Sequence, residues 1–168
     1  IASCLNGLVC EQAFRIFTGC GGNAKSKMND LILRSFGEYA GTLPITYLTG
    51  KITGAFAPQP EVVKAKGKRY VYLEEPELNS KINIGLMKKL TGGDNIEARG
   101  LYKDPVNYVP QFKLFLICNQ IPEVPVYEEA ILRRMECIEF KSRFVHNPNP
   151  KNKYEFNRAY KQAVERTF

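Results

Sequence analysis

At 168 residues the chain has the size of one ordinary domain, and its 44% hydrophobic content is enough to bury a core. That excludes a disordered tail and a small disulfide-stapled scaffold. The formal net charge of +7 suits a polyanionic partner without requiring one. Five cysteines (Cys4, Cys10, Cys20, Cys118 and Cys137) are odd in number, and no pair has zinc-knuckle spacing. They are expected to be reduced, mostly buried thiols of an intracellular protein. Nothing resembles a signal peptide, and no apolar run approaches the roughly 18 residues of a membrane span. The abrupt start at Ile1 suggests a fragment of a longer chain.

In chain order, Ala2, Leu5, Leu8, Val9 and Ala13 recur at near-helical spacing, which predicts a helix over 2–12. Phe14-Arg15-Ile16-Phe17 is a short strand that runs into the glycine-rich stretch Gly19 to Ser26. Met28, Leu31, Ile32 and Phe36 place a helix over 27–37, stopped near Gly37. Residues 41–60 are punctuated by Pro44, Gly50, Gly54, Pro58 and Pro60 and are expected to be loop-rich.

Tyr70-Val71-Tyr72-Leu73 is a strand ending in Glu74-Glu75-Pro76-Glu77. A helix over 80–90 and the turn Thr91-Gly92-Gly93-Asp94 lead into a hairpin over 95–110, with Lys103-Asp104-Pro105 near its tip. Phe112 to Cys118, with Lys113 its only charge, is a buried strand ending at Asn119, and Met135 to Phe140 is the final strand. Strand–loop–helix alternation around buried strands predicts an α/β sandwich. A main domain over 1–144 and a basic helical extension over 145–168 describe the organisation. In that extension Phe156, Tyr160 and Val164 are expected to pack down on a solvated helix. His146 lies in Asn147-Pro148-Asn149-Pro150 loop chemistry and has no assigned role.

Gly19-Cys20-Gly21-Gly22-Asn23-Ala24-Lys25-Ser26 sits between a strand and a helix, the context a phosphate-binding loop needs. Its glycines let backbone N–H groups turn inward onto a phosphate at a helix N-terminus. Lys25 would reach the β- and γ-phosphates, and Ser26 would place its hydroxyl on Mg²⁺. Ala24 stands where GxxxxGK[ST] has its second glycine, and its methyl group threatens a glycine-only geometry.

A hydrophobic strand ending in two carboxylates fits hydrolysis of a Mg²⁺-nucleotide: Glu74 is assigned to the metal and Glu75 to water activation, roles that could be exchanged. Asn119, at a strand tip, suits a sensor of γ-phosphate and lytic water, although alone it is equally a strand-capping turn residue. Arg134, in Ala130-Ile131-Leu132-Arg133-Arg134-Met135, would stabilise transition-state charge if it reached a neighbouring subunit's site. Lys88, Lys89, Arg99 and Lys103 bracket a turn with Tyr102 and Tyr108 interleaved. Cations for phosphates and a ring for a base make a sequence-neutral grip, although both tyrosines have an equally plain reading as packing aromatics.

Taken together these strings resemble the superfamily three helicases, a branch of the AAA+ ATPases, and most closely the primase-helicases of nucleocytoplasmic large DNA viruses and related phages and plasmids. The most specific segments are Lys88 to Lys103, Phe112 to Pro122, Arg133-Arg134 and Phe140 to Phe144. The resemblance implies an AAA+-type sandwich with a mostly parallel sheet and an inserted DNA-binding hairpin that grips single-stranded DNA near Lys103. It also implies ATP and Mg²⁺ as cofactors, a homo-oligomeric, hexameric ring with Arg134 as its inter-subunit arginine, 3′-to-5′ movement and action at a site of viral or phage DNA replication. A primase domain elsewhere in the full-length chain is a further expectation. Two other readings fit the same residues: a packaging or remodelling ATPase, and a nucleotide- and DNA-binding scaffold of low turnover.

Overall fold

The computed structural model describes residues 1–50, 57–74, 80–124 and 129–158. Five strands form one parallel sheet: β1 (Phe14–Thr18), β2 (Ala40–Leu43), β3 (Tyr70–Leu73), β6 (Lys113–Ile117) and β7 (Met135–Glu139). Their order is β2-β3-β6-β1-β7. Phe14 pairs with Leu114 on one side and Met135 on the other, and Val71 pairs with Leu114.

Alternation along these strands sends side chains to two cores, as a sheet covered on both faces requires. Phe14, Ile16, Val71, Leu73, Leu114 and Leu116 share one cluster with Leu48, Val62, Met87 and Tyr108. Phe17, Tyr70 and Phe115 share the other with Ile32 and Cys4. Helix α1 (Lys25–Phe36) covers the second face. The first is covered by the short helices α2 (Thr46–Thr49) and α3 (Pro60–Lys64), by α4 (Ile84–Thr91) and by the antiparallel hairpin of β4 (Ile96–Arg99) and β5 (Pro105–Tyr108). Asn83 caps α4 by accepting the Leu86 N–H at 3.2 Å. This is the expected α/β sandwich with an inserted hairpin, a fold of the P-loop NTPase type.

Four expectations need correction. The helix over 2–12 is only a 3-10 turn at Ala2–Asn6, because Gly7 (φ 63) and Gln12 (φ 48) turn the chain left-handed. The stretch over 41–60 is less loop-rich than expected: α2 lies within it, and Ala40–Leu43 forms the sheet edge by pairing in register with Tyr70–Leu73, a tertiary contact that outweighs weak strand propensity in Ala-Gly. The extension beyond 144 begins with strands: β8 (Arg143–Val145) pairs in parallel with β9 (Glu155–Asn157), so Phe156 lies on a strand, while Tyr160 and Val164 lie outside the described residues. The thiols are not mostly buried either. Cys4 and Cys118 are, but Cys10, Cys20 and Cys137 are exposed, and none of the five is in a disulfide.

Candidate functional site

The phosphate-loop residues leave the C-terminal end of β1 and enter α1. Gly19 (φ +129) has to be glycine: a Cβ there would sit 2.7 Å from the Phe140 carbonyl oxygen and 2.8 Å from Asn23 Nδ2. Asn23 is buried and fastens the loop. Its Nδ2 donates to the Phe140 carbonyl at 3.2 Å, and its Oδ1 accepts the Lys25 N–H at 3.4 Å. Ala24 adopts φ 65, ψ 13, the left-handed geometry for which glycine is the ordinary choice. The worry attached to its methyl group is therefore justified in backbone terms. The N-cap residue Ala24 makes no side-chain capping bond, and the N-terminus of α1 borders the cleft, where its dipole favours an anion.

Lys25 is 5% exposed. Its Nζ donates to the Gly19 carbonyl and, at 3.1 Å, to Asn119 Oδ1. Thr18 Oγ1 donates to the Asn119 carbonyl at 3.1 Å and ties the tips of β1 and β6 together. Because β3, β6 and β1 are adjacent, Glu74, Asn119 and the loop meet at one sheet edge. All line a cleft of about 480 Å³ with Gly21, Gly22, Ser26 and Tyr72. Glu74 is exposed, and Tyr72 Oη donates to its Oε1 at 3.5 Å. Burial first, and the Glu74 carboxylate second, push the Tyr72 hydroxyl up from its ordinary pKa. Glu75 lies outside the described residues.

Sequence reasoning missed Tyr72, Asn29 and Asp30 as cleft residues. The signal for Tyr72 was present, since it stands two positions before Glu74 and shares its face of the strand. Asn29 accepts the Tyr70 hydroxyl at 2.7 Å, a long-range contact that no local pattern announces.

The hairpin lies across the other face of the sheet from α1 and contributes nothing to the cleft lining. Its tip presents Leu101, Tyr102 and Lys103 to solvent, with Tyr102 98% exposed and at φ 55. Arg99 and Lys89 are exposed, and Lys88 is half-buried. Tyr108 is a core residue. Its hydroxyl donates to the Val62 carbonyl at 2.6 Å, and burial pushes its pKa up to about 12.

Arg134 is turned inward, against the expectation of an arginine offered to a neighbour. Its Nη1 donates to the Ala130 carbonyl at 2.9 Å and its Nη2 to Gln12 Oε1 at 2.7 Å, while its buried Nε has no partner among the described residues. Between the short helix α5 (Glu129–Leu132) and β7, the exposed member of the pair is Arg133. Both precede β7, whose Met135 pairs with Phe14, so they lie at the opposite end of the strands from their own phosphate loop.

No family model matches the chain. A protein of Acanthamoeba polyphaga mimivirus with a provisional helicase name is 39% identical over 145 residues, covering 86% of this chain and 15% of its own length. A provisionally named helicase of Invertebrate iridescent virus 6 is 36% identical over 139 residues, 80% of this chain and 14% of its own. A provisionally named primase of African swine fever virus is 26% identical over 146 residues, 86% of this chain and 15% of its own. The chain thus spans about 15% of the length of these relatives. Among solved structures, the apo C-terminal region of NrS-1 has the same fold, with a TM-score of 0.62 at 17% identity over 92% of this chain and 35% of that one. No helix among the described residues is long and apolar enough to cross a membrane.

Proposed function

The chain belongs with the helicase and primase proteins of the nucleocytoplasmic large DNA viruses, and from that premise we propose that it is the ATP-hydrolysing motor of a ring-forming helicase moving on single-stranded DNA. One observation carries the reading: Lys25 Nζ reaches Asn119 Oδ1 in a cleft that also holds Ser26 and Glu74. A cation, a hydroxyl, a carboxylate and an amide around a helix N-terminus are the groups that hold and cleave a triphosphate.

In this reading Lys25 exchanges its Gly19 and Asn119 partners for the β- and γ-phosphates. Ser26 and Glu74, both hard oxygen donors lining the cleft, fit Mg²⁺. Bound Mg²⁺ supplies neutralisation of developing phosphate charge. Glu75 takes the proton of the attacking water and Asn119 helps to orient it, with the two carboxylate roles exchangeable.

The charge of the transition state is completed by an arginine of an adjacent subunit, drawn from the Arg133-Arg134 pair. Arg134 would first have to leave Gln12 and Ala130, whereas Arg133 already stands exposed. Lys103 and Tyr102 at the hairpin tip, with Lys88, Lys89 and Arg99 behind them, contact the strand's phosphates and bases.

The test is steady-state ATP hydrolysis by the intact replication protein, with and without single-stranded DNA, beside Lys25→Ala. Hydrolysis that rises with DNA and vanishes in the variant is expected; none under either condition would remove the enzyme reading. Strand-displacement assays separate a helicase from a packaging or remodelling ATPase, which would hydrolyse ATP without unwinding. The left-handed backbone at Ala24 favours one further reading, a slow nucleotide-bound scaffold. Unchanged turnover in Ala24→Gly would remove its motivation.

A further inference from the structure

The segment after β7 does more than follow the sheet, since it is stitched to the phosphate loop. Phe140 donates its N–H to the Thr18 carbonyl at 2.8 Å, Asn23 Nδ2 donates to the Phe140 carbonyl at 3.2 Å, and Phe144 donates its N–H to the Gly22 carbonyl at 2.9 Å. These bonds place the start of β8 alongside the loop, on the β7 side of β1. The chemistry of the terminal phosphate lies on the other side of β1, where β6 presents Asn119 and β3 presents Glu74. A nucleotide whose γ-phosphate meets Asn119 therefore extends its nucleoside toward β8.

What stands at that side is aromatic. Phe144 and Phe156 are paired across the β8–β9 ladder, with ring centroids 5.9 Å apart and planes at 35°. Neither ring belongs to either hydrophobic core, and Phe156 is 42% exposed. A ladder of two three-residue strands has little stability of its own, and its bonds to the loop add to it. An aromatic pair, half-buried at Phe144 and exposed at Phe156, and tied to a phosphate cradle, has an evident use. A flat heterocycle can stack on it, and stacking tolerates any base because every base has a π face.

We propose that Phe144 and Phe156 form the shelf on which the base of the bound nucleoside triphosphate stacks. This rests on the nucleotide-binding reading of the loop. It implies weak discrimination among bases, with purines held better than pyrimidines because their larger rings stack better.

The experiment measures binding of a non-hydrolysable ATP analogue and of inorganic tripolyphosphate, both with Mg²⁺, to the intact replication protein. Phe156→Leu keeps an apolar side chain and removes the π face, and Phe156→Trp enlarges it. Phe156→Leu should weaken the ATP analogue roughly fivefold to a hundredfold while leaving tripolyphosphate unchanged, and Phe156→Trp should bind the analogue at least as tightly as the native protein. Thermal melts of both variants confirm that the fold is intact. Equal loss of both ligands in Phe156→Leu, or native affinity for the analogue in both variants, would overturn the shelf while leaving the loop's role standing. A native protein that binds neither ligand would remove the nucleotide reading itself, and the shelf with it.

Discussion

Two lysines in this fold are equally hidden, and they do opposite things. Lys25, at the phosphate-loop end of the sheet, and Lys113, at the opposite end, are each 5% exposed, and each donates to a main-chain carbonyl, of Gly19 and of Leu8. Lys113 also faces Glu11 at 3.6 Å beside a void of about 10 Å³, too small to take anything but a water molecule. Lys25 borders about 480 Å³ of open cleft. Burial alone therefore does not separate the two lysines; the space left in front of each does.

The sharpest break between the two ends is expected from paired alanine variants. Lys25→Ala should lower nucleotide turnover by about 10³-fold or more, with little change in melting temperature, because a donor aimed at developing charge is lost. Lys113→Ala should do the reverse, destabilising the fold by about 1–3 kcal/mol through loss of a buried charged hydrogen bond while nucleotide affinity persists. Calorimetric unfolding and nucleotide titration on both variants decide it. If Lys25→Ala unfolded the protein and Lys113→Ala abolished binding, the assignment of the two ends would be inverted.

The arginine pair sharpens the same contrast within the structural end. Arg134→Ala removes the bonds to Gln12 and Ala130 and should cost about 1–2 kcal/mol, partly offset by deleting the unpartnered Nε. Arg133→Ala, at an exposed position, should stay within about 0.5 kcal/mol of the native protein. Urea denaturation midpoints report both. Equal midpoints for the two variants would mean that the inward contacts of Arg134 contribute nothing.

At the phosphate-loop end the corresponding strain is in the backbone. Ala24 in the left-handed region costs about 1 kcal/mol relative to glycine, so Ala24→Gly should raise stability by that order, less the extra entropy of glycine in the unfolded chain. A lower melting temperature for Ala24→Gly would show that the methyl group has a packing role outweighing its strain.

How far the sequence disclosed all this depends on the kind of interaction. The interior strands were legible because Phe14 to Phe17, Tyr70 to Leu73 and Leu114 to Ile117 carry apolar runs that only a sheet covered on both faces can bury. Ala40–Leu43 was not, because its strand character comes from Tyr70–Leu73 beside it. The loop, Glu74 and Asn119 were legible because each sits at a strand end, where type and place are both local. The direction of Arg134 was not, since it is set by Gln12, 122 residues away along the chain. Nor was the fastening of Gly19 and Asn23 to Phe140, which takes both ends of the fold to see.

The smallest effect concerns Glu11, which anchors the structural end. Its carboxylate accepts from Arg15, which also pairs with Glu136 at 2.8 Å, and it faces Lys113. The Arg15 hydrogen bond foremost, against a smaller opposing effect of burial, holds its pKa below the usual carboxylate value. A depressed folded pKa means that the ionised form is favoured by folding, so the stabilisation is present above the unfolded pKa of about 4.3 and fades as pH falls through the lower folded value. With the Glu11 side chain 44% exposed, solvent screening limits the contribution to less than about 1 kcal/mol. The melting-temperature gap between the native protein and Glu11→Gln should accordingly be widest near neutral pH and close below pH 4. It should also narrow in high salt, as a partly exposed ion pair requires. A gap independent of both pH and salt would show that Glu11 acts through neutral hydrogen bonding and packing rather than as the counter-charge of Arg15 and Lys113.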